Sequence, residues 1–80
     1  AEVKLKWSHD DPRAKFIIEQ KVNNSPWYQL YTTSNKEVDI TTRVEGLYRY
    51  RVITIVNGIR SDPSEEVSIK LKGQKKNRNN

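Results

Sequence analysis

Cysteine and methionine are absent from this 80-residue chain, glycine and proline occur three times each, and there is one phenylalanine and one histidine. Without cysteine there is neither a disulfide framework nor a thiolate metal site, so packing alone must hold the fold together. No apolar run approaches the roughly 20 residues that cross a bilayer, and Ala1 to Trp7 has the wrong shape for a signal peptide. These absences predict a soluble domain and leave its compartment open. With 34% hydrophobic residues the chain can close one modest core.

Acid is missing from one end. From Lys70 onward the chain carries Lys70, Lys72, Lys75, Lys76 and Arg78 with no Asp or Glu, while the other ten basic residues balance ten acidic ones, so the net charge of +5 sits at the C-terminus. Residues 73–80 hold nothing apolar to bury and are expected to form a basic, disordered tail or linker after a domain spanning 1–72.

What is present comes in short alternating runs. Val3, Leu5 and Trp7 alternate with Lys4, Lys6 and Ser8, the period of a strand with one buried face. His9-Asp10-Asp11-Pro12 ends it. Phe16, Ile18 and Gln20 form the inward set of a second strand, with Ile17, Glu19 and Lys21 outward. After the turn Asn23-Asn24-Ser25-Pro26, a third strand is predicted from Trp27 to about Thr32, with Tyr28, Leu30 and Thr32 on one face and Trp27, Gln29 and Tyr31 on the other. Val38 and Ile40 mark a short fourth strand. The strongest follows: Tyr48, Tyr50, Val52, Thr54 and Val56 alternate with Arg49, Arg51, Ile53 and Ile55, and should lie centrally. Asn57-Gly58 turns the chain, Ser61-Asp62-Pro63-Ser64 forms a loop, and Val67, Ile69 and Leu71 make the last strand. Six strands with no helical periodicity between them predict an all-β, two-sheet antiparallel sandwich with Greek-key connections.

The order and spacing of these residues resemble the fibronectin type III family. The second half carries most of the likeness: Tyr48-Arg49-Tyr50-Arg51-Val52, Val56-Asn57-Gly58, Ser61-Asp62-Pro63-Ser64 and Val67-Ser68-Ile69 look like that family's sixth strand, the loop after it and its last strand. Trp7 looks like the core tryptophan of the second strand, Phe16 with Ile18 like the third strand's aromatic and aliphatic pair, and Trp27 with Leu30 like the fourth strand's Trp-x-x-aliphatic pattern. The likeness covers residues 2 to 71 and implies an immunoglobulin-like sandwich in which Trp7, Phe16, Trp27 and Tyr48 are structural. Tyr48 would be the corner tyrosine, bonding back to the backbone just upstream. There are two departures. The family's first strand would lie before Ala1 and is largely missing, leaving a strand edge open to pairing; and Gly-Leu-x-Pro-Gly is replaced by Thr41-Thr42-Arg43-Val44-Glu45-Gly46-Leu47 ahead of Tyr48.

Candidate chemistry is sparse. Ser8-His9-Asp10-Asp11 has the letters of a hydrolase triad, but consecutive residues do not converge on one reacting centre, so no catalytic residue and no enzyme activity is expected. The same side chains diverge too much to hold a metal, and no cofactor is expected. Asn23-Asn24-Ser25 is a sequon, which makes Asn23 a candidate glycosylation site if the protein is secreted, although Pro26 disfavours its use. The loop Gly58-Ile59-Arg60-Ser61-Asp62 lacks the integrin-binding Arg-Gly-Asp, and Arg60-Ser61-Asp62-Pro63-Ser64 lacks the tryptophans of the cytokine-receptor Trp-Ser-x-Trp-Ser. Nothing resembles a groove-reading helix, so nucleic acid is not an expected partner.

The outward charges give the sharpest expectation. If the last two strands are antiparallel neighbours, Arg49 and Arg51 fall beside Lys70 and Lys72, with Lys21 at the same end, and these five residues form a basic face for a protein partner or a sulfated polysaccharide. The competing reading is a solvated outer face on which Glu19 and the stems of Arg49 and Arg51 cover Trp27 and Tyr31. Ile17, Ile53 and Ile55 are expected to form an apolar patch at the other end of that face. The resemblance implies a non-catalytic binding module of a larger extracellular or cell-surface protein, next to neighbouring domains of the same chain. The alternatives are a structural spacer and an accessory domain of a multidomain enzyme.

Overall fold

In a computed structural model, residues 2–64 and 66–72 are described, and they fold as seven strands without a helix: β1 (Glu2–Lys6), β2 (Lys15–Val22), β3 (Tyr28–Thr33), β4 (Glu37–Thr41), β5 (Gly46–Val56), β6 (Ile59–Arg60) and β7 (Val67–Leu71). The expected tail, residues 73–80, lies outside the described residues. β1 and β4 form one antiparallel sheet. The second runs β3-β2-β5, with β6 and β7 both pairing with β5. The architecture is the predicted sandwich. The strongest alternating run became its centre because the 11 residues of β5 are long enough to serve three partners.

Alternation decides which side chains meet. Val3 and Leu5 from β1 and Ile40 from β4 close on Phe16, Ile18, Tyr48 and Tyr50 from the larger sheet. Phe16, Ile18 and Tyr50 are almost fully enclosed; burying side chains of this size contributes about 1.5–3 kcal/mol each. Trp7 follows β1 and meets the Phe16 ring edge to face at 5.4 Å. A polar chain runs through this core. The Tyr50 hydroxyl donates to Gln20 Oε1 at 2.9 Å, and Gln20 Nε2 donates to the Tyr28 hydroxyl, so the buried Gln20 amide has partners on both atoms.

The connections satisfy the remaining edges of β5. Asn57 and Gly58 both have positive φ (53° and 77°), the two-residue turn whose twist suits the β5–β6 hairpin. The Ser61–Ser64 loop then runs beside β5 as a surrogate strand. The Ser61 and Ser64 backbone N–H groups donate to the Thr54 and Val52 carbonyls, and their hydroxyls accept from the Thr54 and Val52 N–H groups, each at 2.8–2.9 Å. The Tyr48 hydroxyl donates to the Val44 carbonyl at 2.6 Å, as the resemblance implied, although the usual glycine and proline are absent there.

Two expectations need correction. The third strand does not alternate evenly: the register with β2 shifts between Ile18 and Glu19, so that Tyr31 stands opposite Ile18, Gln29 opposite Glu19 and Tyr28 opposite Gln20. Leu30 is the additional residue of a bulge, and Tyr31 moves from the outer set to the face of Ile18. The expected apolar patch of Ile17, Ile53 and Ile55 is also mostly enclosed, Ile55 alone remaining half-buried. Ile17 and Ile53 stand directly opposite each other and are 2% and 7% exposed, outside the core cluster and buried on the far face of the larger sheet.

Candidate functional site

The far face of the larger sheet carries the expected basic residues, and the register between β2 and β5 places them. Lys21 stands opposite Arg49 and Glu19 opposite Arg51; Arg49 meets Ser68 of β7 on its other side, and Lys70 stands opposite Leu47. Lys70 is thus one diagonal step from Arg49, a distance long side chains span. Lys72 follows the last residue of β7 and is exposed.

The five residues divide into two kinds. Arg51 is already engaged: its Nε donates to Glu19 Oε1 at 2.7 Å, both side chains are mostly buried, and its guanidinium lies 4.1 Å from the centroid of the Trp27 ring. Trp27 is thereby half-buried on this outer face rather than in the core cluster. Lys21, Arg49, Lys70 and Lys72 are in no ion pair among the described residues.

Across the sandwich, strand register puts opposite charges face to face: Lys4 with Asp39, Lys6 with Glu37 and Glu19 with Arg51. Lys21 with Arg49 is the like-charged exception among the described pairs. A directly opposed like pair costs stability, by up to about 1 kcal/mol. The arrangement can accept an anion between two cationic heads, with the Ser68 position beside it.

Asn23, the sequon residue, closes the β2–β3 turn at φ 54°. Its Oδ1 accepts from the Leu47 N–H at 2.9 Å, its own N–H donates to the Leu47 carbonyl at 2.7 Å, and a Cβ at Gly46 would come within 3.2 Å of its Nδ2. The amide that would carry a glycan is thus set against Gly46.

The triad letters form a turn. Asp11 accepts from the Arg13 backbone N–H and binds its guanidinium through both carboxylate oxygens, while His9 Nδ1 accepts from the Asp11 N–H. The Arg13 side chain and then its backbone N–H hold the Asp11 carboxyl down at about 2. Among the described residues, no group of three His, Cys, Asp or Glu side chains is placed to hold a metal ion, and no helix is long and apolar enough to cross a membrane.

Sequence reasoning missed a groove on the opposite side of the molecule from β3. Leu5, Lys6 and Trp7 at the smaller sheet and Tyr50, Val52, Ser64 and Val67 at the larger one enclose about 390 Å³. Its two walls come from opposite ends of the chain, so no local pattern announced it.

Residues 1–64 match the family described as PBP1-like, fibronectin3-like domain. No curated protein matches the chain.

Proposed function

Because this chain belongs to the PBP1-like, fibronectin3-like domains, we propose that it is a non-catalytic binding module of a larger extracellular or cell-surface protein. Its ligand carries clustered negative charge, as a sulfated polysaccharide or an acidic protein surface does. The observation that supports this reading is the Lys21–Arg49 pair, two cations held opposite each other at a cost in stability, with Lys70 on the diagonal and no carboxylate joined to them among the described residues. An anion bridging the two heads turns that repulsion into binding, and a guanidinium suits bidentate contacts to sulfate or carboxylate. Arg51 acts differently: fixed by Glu19 and stacked on Trp27, it shapes the floor of the face.

Heparin chromatography tests the polysaccharide arm. Retention to well above physiological salt, about 0.15 M, is expected for the parent protein, with earlier elution for Arg49→Glu. The same substitution should raise stability, because a carboxylate in place of the guanidinium would face Lys21 as an opposite charge. Elution at or below physiological salt rules out a sulfated ligand. If charge reversal at Lys21 and Arg49 also leaves every interaction of the parent protein intact, the module is a structural spacer.

A further inference from the structure

Among the described strands, all but one carry charge. Each of β1, β2, β4, β5, β6 and β7 holds at least one Lys, Arg, Asp or Glu, whereas β3 reads Tyr-Gln-Leu-Tyr-Thr-Thr, and the uncharged stretch runs from Trp27 to Asn35. β3 is also an edge. Among the described residues it pairs with β2 alone, so the backbone N–H and C=O groups on its other side face outward. Sheet edges are ordinarily guarded by charged side chains, proline or a bulge. Here the guard is the bulge at Leu30, and beyond it Tyr31, Thr32 and Thr33 pair regularly with Ile18, Ile17 and Phe16. Tyr31 and Thr32 are both exposed, Tyr31 by 42%.

We propose that this edge is a self-association surface, on which β3 of a second copy pairs antiparallel with β3 and joins the two larger sheets into one. Complementarity singles out a second copy as the occupant. A pair centred on Thr32 sets Thr32 against its counterpart and Tyr31 against Thr33, hydroxyl–hydroxyl and aromatic–β-branched combinations that stabilise antiparallel strands, with no like charges opposed. The same operation on β4 or β7 meets charge, bringing Glu37 and Asp39, or Lys70 and Lys72, of two copies together. Other segments of this chain belong elsewhere. The family's first strand would run beside β1 in the smaller sheet, and residues 73–80 follow β7, which β5 and β2 separate from β3. The two-fold axis of an antiparallel pair stands perpendicular to the sheet, so both copies turn their Lys21–Arg49 faces to the same side.

Sedimentation equilibrium, with NMR of the isotope-labelled chain over the same concentrations, tests this. A six-residue strand buries less than a standard interface, so a dimer dissociating on the order of 0.1 mM is expected, with concentration-dependent amide shifts in Tyr31–Thr33. Association should not weaken as salt rises, because the seam holds no charge. Thr32→Lys and Thr32→Glu, at an exposed position, should leave the melting curve in place and each weaken the dimer by about tenfold, since like charges then face each other. Mixing the two variants should restore association as a heterodimer in which Lys faces Glu. Arg49→Glu, on β5, should leave the dimer unchanged, which separates this edge from the basic face. The inference is overturned if the chain stays monomeric at millimolar concentration, or if the shifts map to β1 or β7 instead of β3. It is likewise overturned if both Thr32 variants dimerise as the parent does, or if their mixture associates no better than either alone.

Discussion

Replacing Tyr50 by Phe removes one hydroxyl from the middle of the sandwich and leaves the ring in place. Tyr50 is 1% exposed, and its hydroxyl donates to Gln20 Oε1 at 2.9 Å. The loss of an ordinary hydrogen bond contributes about 1 kcal/mol, and a buried acceptor left without a donor raises the cost to about 1–3 kcal/mol. Gln20 is itself buried and commits its Nε2 to Tyr28, so its carbonyl has no second protein donor to turn to. At about 4–8 °C per kcal/mol for a domain of this size, the melting point should fall by roughly 10 °C. Urea unfolding followed by tryptophan fluorescence should show a lower midpoint with an unchanged m-value. Adding Gln20→Leu to Tyr50→Phe replaces both partners by apolar groups and should recover most of the loss, since Tyr28 is exposed enough to bond water.

The alkaline limb supplies an independent check on the same hydroxyl. Burial, with smaller contributions from Tyr48, Tyr28 and Tyr31, pushes the Tyr50 phenol from 10.0 up to about 12. The folded protein therefore keeps this proton after the unfolded chain has released it. Stability contributed by the neutral phenol is fully present below pH 10 and is lost as pH rises from there through the folded value; Tyr50→Phe should remove that loss. A cost below about 0.5 kcal/mol for Tyr50→Phe, or additivity of the two substitutions, would refute the reasoning.

Three further outcomes are expected. Tyr48→Phe breaks the 2.6 Å bond to the Val44 carbonyl and should cost about 1 kcal/mol in denaturant unfolding, a partner partly open to water keeping the loss moderate. Gly46→Ala places a Cβ 3.2–3.3 Å from the Asn23 carboxamide, so it should destabilise the parent protein measurably and do so less in an Asn23→Ala background, a coupling that a double-mutant cycle reads. The Asp11–Arg13 contact stabilises the fold above the ordinary carboxylate range and is lost as pH falls through about 2, so Asp11→Asn should flatten the acid limb of the unfolding midpoint against pH.

The period-two alternation was legible because it is local. Val3 and Leu5, Phe16 and Ile18, Tyr48 and Tyr50 each declare a buried face within their own strand, and the structure buries all six. Asn57-Gly58 was readable for the same reason, its turn lying within two residues, while the corner tyrosine followed from the family resemblance. The place of Lys21 beside Arg49 followed from antiparallel neighbours and needed only the right register. The bulge at Leu30 was not readable, since one extra residue leaves composition and hydropathy unchanged while reversing which side chains share a face. Nor was the division of labour among the arginines, which depends on Glu19 reaching Arg51 across 32 residues of chain.

The sequence by itself thus determined an all-β chain, six of the seven strands among the described residues, their turns and the inward set of every predicted strand but the third, because these follow from backbone preference and alternation over a few residues. Tertiary structure alone decided what each outward residue became: Ile17 and Ile53 a shielded pair, Arg51 a stacked and neutralised cation, Lys21 and Arg49 an opposed like-charged pair. It also decided that β1 ends beside an open apolar groove. The physical reason is common to all of them. Burial and charge pairing are set by cross-strand register and by how one sheet overhangs another, and both are fixed only when distant segments pack together.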